Sequence, residues 1–367
     1  MSPADSEPNS VLNLRPGELV EIRSAEEIFG TLDENARLGA LPFMPEMLAY
    51  CGRQFRVYKR SNKTCDTVNH TGSRRMQNTV HLEGLRCDGM AHGGCQARCF
   101  LFWKEAWLKR VQADSLPGTS SSKSDAASAP TLERVSSAGA VTRETVMRAT
   151  RRTSDNQDTS EEVFACQATE LLKASTPLAW WDMRQHVRDL RSGNISAGEL
   201  FNSFFFWLFK KALGVGGYRA LVSMYTRFQR ARGRRPYPFG ETGQLTKTPV
   251  EALDLQPGEV VQVKPMKEIV QTLNRDNKNR GLSFDPEMTP YCGGTYRVLQ
   301  RVDQIIDEQT GKMRKIPGVC IMLDGVICKA HYSTYRLFCP RSIYLYWREI
   351  WLQRVSEPAD AKKAGHT

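Results

Sequence analysis

The sequence predicts an α+β fold: two copies of a small, mostly-β module with short helices, joined by a disordered linker and an α-helical segment. Three observations lead there. Moved from Leu14 to Leu255, LRPGELVEIRSAEEIFGTL falls on LQPGEVVQVKPMKEIVQTL, and in the same register MPEMLAYCGRQFRV falls on DPEMTPYCGGTYRV. VHLEGLRC, ending at Cys87, then matches IMLDGVIC, ending at Cys328, and FWKEAWLKRV matches YWREIWLQRV. A match of this length and spacing implies a domain duplication rather than a short-period solenoid. Second, the stretch SLPGTSSSKSDAASAP has the Ser/Ala composition of a chain that cannot bury enough apolar surface to order itself. Third, helix-forming patterns rich in Arg and Lys follow that stretch. The expected units are a first Cys-rich module at 11–112, a flexible linker at 113–161, a basic helical segment at 162–235, a second linker at 236–252, the second module at 253–356 and a disordered tail at 357–367.

Each module opens with a Pro-Gly turn and an alternating segment, Leu19-Val20-Glu21-Ile22 or Val260-Val261-Gln262-Val263, the pattern of a half-buried strand. A short helix is expected next. GRQFRVYKR and TVHLEGLRC read as strands around a turn-rich loop. Trp103 and Trp107 stand at i and i+4, on one helical face or on a twisted terminal strand. The L-x-P-G-E-x-V opening resembles the first strand of SH3-like barrels such as the KOW domains of transcription and ribosomal proteins. That resemblance covers about ten residues and implies a barrel-like module without implying a function.

The middle of the chain should be helical at 162–174, at 177–191 behind a Thr176 cap, from the Ser196-Ala197-Gly198-Glu199 capping box onward, and at 218–232. The net charge of +11 is concentrated here: Leu178 to Arg235 carry eleven Lys/Arg against three Asp/Glu. Such a balance draws anionic partners by long-range attraction that salt screens. Arg227, Arg230, Arg232, Arg234 and Arg235 form the candidate anion-binding group, although a solvated, dipole-favoured helix end explains them equally. The aromatic run from Phe204 to Lys211 is too short to span a bilayer, which needs about 20 apolar residues. It reads as a packed core helix, or as an interfacial helix touching a membrane surface.

No secretory signal opens the chain, so its ten cysteines are expected to be reduced thiols in the cytoplasm, with a membrane-peripheral position open through 204–211. Cys87, His92, Cys95 and Cys99 fall within thirteen residues on a glycine-rich loop. With Cys65 from the preceding loop, four of these would close a tetrahedral zinc site; iron or an iron–sulfur cluster would want similar donors. In the second module Cys320, Cys328, His331 and Cys339 are the candidate ligands. Glu46 and Glu287, in the repeated Pro-Glu-Met, and Glu105 and Glu349, between the paired tryptophans, read as caps or salt-bridge partners, with acid chemistry or support of a metal ligand as the alternative.

No nucleophile elbow, P-loop, dinucleotide fingerprint or H-E-x-x-H helix occurs in the sequence. The leading expectation is a metal-stabilised tandem-module binding or adaptor protein, its basic helices contacting a protein, an anionic ligand or a membrane surface. A metal- or thiol-dependent enzyme centred on Cys87–Cys99 and a nucleic-acid-binding protein are the rivals.

Overall fold

The computed structural model describes residues 11–111, 141–152, 162–179, 181–201, 203, 223–224, 227, 231, 243–332 and 336–355. In the first module β1 (Leu19–Ile22) leads to α1 (Ala25–Phe29), the short strands β2 (Arg37–Leu38) and β3 (Leu41–Pro42), and a 3-10 helix at Pro45–Tyr50. There follow β4 (Gln54–Arg60), β5 (Lys63–Cys65), β6 (Ser73–Arg75), β7 (Thr79–Leu82), β8 (Trp103–Lys104) and β9 (Leu108–Arg110). The helix α1 starts where the sequence caps it. Ser24 accepts from the Glu27 amide while the Glu27 carboxylate accepts from the Ser24 amide, which satisfies two otherwise orphaned donors.

The middle segment contributes α2 (Arg143–Arg148), β10 (Arg151–Arg152), β11 (Val163–Phe164), β12 (Thr176–Leu178) and α3 (Arg184–Arg191). The second module runs β13 (Val260–Val263), α4 (Met266–Val270), β14 (Lys278–Asn279), β15 (Leu282–Ser283), a 3-10 helix at Pro286–Tyr291, β16 (Thr295–Ile306), β17 (Met313–Ile327), β18 (Tyr344–Arg348) and β19 (Leu352–Arg354).

The main sheet of each module has five antiparallel strands in matching order, β8-β7-β4-β1-β9 and β18-β17-β16-β13-β19. The registers correspond as well: Leu19 faces Arg56 as Val260 faces Arg297, and Val20 faces Arg110 as Val261 faces Arg354. Among the described residues no pairing closes either sheet into a barrel. Trp103 and Trp107 belong to neither a helix face nor a single strand. A one-turn 3-10 helix, Glu105–Trp107, separates β8 from β9 and turns both indoles into the core, as Glu349–Trp351 does for Trp347 and Trp351. Glu105 accepts from the amides of Asn13 and Leu14 and pairs with Arg60; Glu349 does the same for Leu253, Leu255 and Arg301. These carboxylates hold the entry of the chain to its own sheet, the cap and salt-bridge role their position implies.

The middle segment departs from the sequence expectation in three places. Residues 141–152, expected within the flexible linker, form α2 and β10, because Thr142 and Thr145 cap each other and Val146 is fully buried in the first module's core. Residues 162–174 are not a helix. Val163 and Phe164 pair with β10, the Phe164 amide donates to the Gly311 carbonyl of the second module, and turns follow; these tertiary hydrogen bonds override a weak local preference. The helix expected at 177–191 begins only at Arg184. Thr176–Leu178 instead adds to β6 as an edge strand, a place where Pro177 costs no ladder bond. The capping box at Ser196 forms, with the Glu199 carboxylate accepting from the Ser196 amide, and residues 197–201 are helical. The aromatic run at 204–211 lies outside the described residues, and of 218–232 only 223, 224, 227 and 231 are described, all helical. No described helix is long and apolar enough to cross a membrane.

The modules touch directly. Gln96 accepts with its Oε1 from the amides of Asp303 and Gln304, and its carbonyl accepts from the Gln300 side chain at 3.0 Å. Arg341 of the second module, almost wholly buried, donates to Thr67 of the first and to Glu308. The densest thiol chemistry lies along this seam.

Candidate metal centre

The centre is assembled by two loops of the first module. Pro45 starts the 3-10 helix, where its missing N–H is no loss, and the helix presents Glu46 to the loop that follows β7. In that loop the Cys87 amide donates to the Cys99 carbonyl at 2.8 Å, which sets the two cysteines side by side. The chain between them folds into a tight double turn, with the amides of His92 and Gly94 both donating to the Gly89 carbonyl. Gly89 has φ +77°, and a Cβ there would sit 1.9 Å from the Cys95 carbonyl oxygen, so only glycine fits. This fold-back brings His92 Nε2 to 3.3 Å from Cys87 Sγ.

Ligand atoms of Glu46, Cys87 and His92 all lie within 4.8 Å of one another. A cavity of ≈ 40 Å³ adjoins them, lined also by Cys95, Cys99 and Cys166. His92 is buried, and Glu46 and Cys87 are half-buried. Both carboxylate oxygens of Glu46 and the Nδ1 of His92 are shut away from solvent without a hydrogen-bond partner. The Cys87 thiol faces the Glu46 carboxyl and lowers its pKa against the effect of burial, but at a geometry short of a formed hydrogen bond. A buried carboxylate left bare is costly, and an ion or ordered water is the usual resolution.

Burial pushes the Glu46 carboxyl up and the His92 imidazole down, penalising the charged form of each. The Cys87 thiol is pushed far up, first by burial and then by the charge of Glu46. Burial also raises Cys95, Cys99 to about 12 and Cys166 to about 11. Such thiols are protonated at neutral pH and are poor nucleophiles as they stand.

The sequence-derived ligand sets are divided differently in space. Cys87 and His92 meet, and Cys95 and Cys99 line the same cavity, with Cys95 Sγ accepting from the Ile306 amide. Cys65 is elsewhere. At the end of β5 it packs with Cys339, Ala330 and Cys328 of the second module. A hydrogen bond from the Cys339 thiol and the charges of Arg341 and Arg336 lower Cys65, while Cys339 is driven up. Of the second-module candidates, Cys328 and Cys339 therefore share a cluster. Cys320 lies in a separate apolar group with Val302 and Met322, and His331 Nε2 is 3.9 Å from Glu199. Arg227 is exposed on a helical turn; Arg230, Arg232, Arg234 and Arg235 lie outside the described residues.

Two members of the centre were not read as metal ligands from sequence. Glu46 is 41 residues from Cys87, and its one signal was the recurrence of Pro-Glu-Met in both modules. Cys166 would have been carried away by the expected helix at 162–174; the observed strand and turns place it on the cavity wall. No protein-family model, curated protein or solved structure matches the chain.

Proposed function

We propose that the protein is a non-catalytic, metal-stabilised binding protein whose two modules are duplicated copies of one unit, with a single divalent cation, zinc by donor chemistry, held by Glu46, Cys87 and His92. The observation that carries this reading is the bare, buried Glu46 carboxylate converging with a thiol and an imidazole. One oxygen, one sulfur and one nitrogen donor suit zinc, and Cys95, Cys99 and Cys166 offer further coordination. An iron–sulfur cluster fits less well, since it is held by four cysteines. A bound cation would reverse the electrostatics of the centre by favouring thiolate at Cys87 and carboxylate at Glu46.

The size of the cavity favours a structural role over an enzymatic one. A space of ≈ 40 Å³ admits an ion or about one water, whereas small-molecule sites are typically about 300–1,000 Å³. The unactivated thiols agree with this. The duplication rests on the matched strand order together with the sequence repeat, and two modules packed on one seam form a broad scaffold for a partner. The positive charge of the middle segment favours an anionic partner.

Metal analysis of the purified chain beside Glu46→Gln and Cys87→Ser is the test. About one equivalent in the wild type, lost in both variants, with a lower unfolding midpoint after chelation, is expected. Wild-type protein that is metal-free, takes up no added zinc and unfolds identically with and without chelator would overturn the reading.

A further inference from the structure

A second cavity, ≈ 540 Å³ and open to solvent, lies between the β4–β6 region of the first module and α3. It is lined by Arg15, Arg60, Lys63, Arg75, Arg188 and Arg191, with Asp189 the sole carboxylate on its wall among the described residues. Three of the six cations are already neutralised. Arg60 pairs with Glu105, Lys63 with Asp189 in a buried ion pair, and Arg75 with Asp182 at 3.7 Å. Asp182 is itself held by Arg184. Arg15, Arg188 and Arg191 are exposed and none forms an ion pair within 4.0 Å among the described residues, although Asp182, already bound by Arg184, lies near enough to feel the charge of Arg188.

We infer that this cleft binds a small organic ligand bearing two phosphate groups. The uncompensated charge sets the class. Each phosphate monoester brings about −1.5 to −2 at neutral pH, so two phosphates match three free guanidinium groups where one would not. Guanidinium forks recognise phosphate oxygens through paired, charge-assisted hydrogen bonds. The size sets the rest. The volume falls within the ordinary range for small-molecule sites and exceeds what a bare diphosphate fills. Leu178, which keeps a little accessible surface, and the aliphatic stems of the arginines give the wall an apolar portion for the organic part. The rigid floor comes from the Lys63–Asp189 pair, which ties β5 to α3, and from Asn194, whose amide donates to the Arg60 carbonyl at 2.7 Å while its carbonyl accepts from the Arg60 amide at 2.8 Å. This site is remote in composition from the thiol centre and does not depend on a metal there.

Equilibrium dialysis of the full chain against labelled inorganic pyrophosphate tests the inference. Saturable binding that weakens as salt rises is expected. The double variant Arg188→Glu/Arg191→Glu should weaken it by about tenfold or more, and Arg15→Ala should weaken it to a lesser degree. All three side chains are solvent-exposed, so the unfolding midpoint and metal content should not move, which separates lost binding from lost folding. Arg314→Glu, exposed on β17 of the second module and not part of the cleft wall, should leave pyrophosphate binding unchanged. Vesicles containing phosphatidylinositol bisphosphate, added as competitor, distinguish the sources of the same chemistry: competition assigns a lipid headgroup, and none assigns a soluble ligand. The inference is overturned if pyrophosphate does not bind, if the α3 double variant binds it as well as wild type, or if a single-stranded oligonucleotide binds and pyrophosphate cannot displace it.

Discussion

Glu46→Gln keeps the size of the side chain and removes its charge, and the sign of its effect depends on what fills the cavity. A cation balanced by Glu46 makes the substitution destabilising, because the remaining Cys87 and His92 bind it less tightly. With no cation the same substitution removes a bare buried carboxylate and should raise the unfolding midpoint. Thermal unfolding of Glu46→Gln and wild type, each with and without chelator, is expected to show a lower midpoint for the variant in metal and a reversed order in chelator. His81 makes a separate prediction. Fully buried, its Nδ1 donates to the Leu101 carbonyl at 3.0 Å, and burial holds its pKa down at about 3. The folded protein keeps this imidazole neutral, whereas the unfolded chain takes up a proton near pH 6.5. Stability from this group is thus complete above about pH 6.5 and is lost as pH falls from there toward 3, by about 1.4 kcal/mol per pH unit at most. His186, held down at about 4 by burial and by Lys63, adds to the same limb. Urea unfolding between pH 7 and pH 5 in chelator should show that limb, and His81→Phe should reduce its slope by close to one proton.

At the scale of elements, the loop from Cys87 to Cys99 is the part whose geometry leaves least latitude. Gly89→Ala sets a methyl group against the Cys95 carbonyl and strains a left-handed backbone, so the double turn that delivers His92 cannot form as it stands. Loss of metal together with a stability loss of about 1–3 kcal/mol is expected, read by metal analysis and chemical denaturation. The crowding of this loop is legible in the sequence, since three thiols and an imidazole share a glycine-rich stretch, and the fold-back does bring Cys87 to His92. The loop's partners are not legible there. Glu46 comes from an element distant in the chain, and carboxylates are so often caps that the recurrence of Pro-Glu-Met carried little weight. The alternation of β1 and β13 was equally plain, because period-2 patterning reports one face buried on a sheet. The segment at 162–174 is the opposite case. Its apolar spacing admits a helix, but Val163 and Phe164 find backbone partners in β10 and at Gly311, which no local pattern encodes. Nearness in sequence groups Cys65 with Cys87, while β5 directs it toward Cys339, a contact 274 residues away.

At the scale of the whole molecule, each module centres on two buried tryptophans, and the seam between them is apolar where Ile306 of the second module enters the first module's core and where Cys65 meets Ala330 and Cys339, and polar around a buried arginine. Arg341 is the center of that seam. Its guanidinium is nearly inaccessible, donates to Thr67 of the first module at 2.7 Å and pairs with Glu308 of its own at 2.9 Å, while Thr67 also donates to Glu308. Gln96 and Ser342 add bonds in both directions, with Arg86 donating to the Ser342 carbonyl at 3.0 Å. Truncating one partner of a buried ion pair typically costs about 3–5 kcal/mol, because the other charge stays buried alone. Arg341→Ala is expected to cost that much, and to cost it at the seam, leaving both cores intact. The wild type should therefore melt in one transition, with the tryptophans of both modules reporting it together, while Arg341→Ala should melt in two. Arg341→Met combined with Glu308→Leu removes both charges and should recover most of the lost stability and the single transition. Calorimetry on the three proteins decides the matter: two transitions already present in the wild type, or one transition surviving in Arg341→Ala at an unchanged midpoint, would show that Arg341 does not couple the modules.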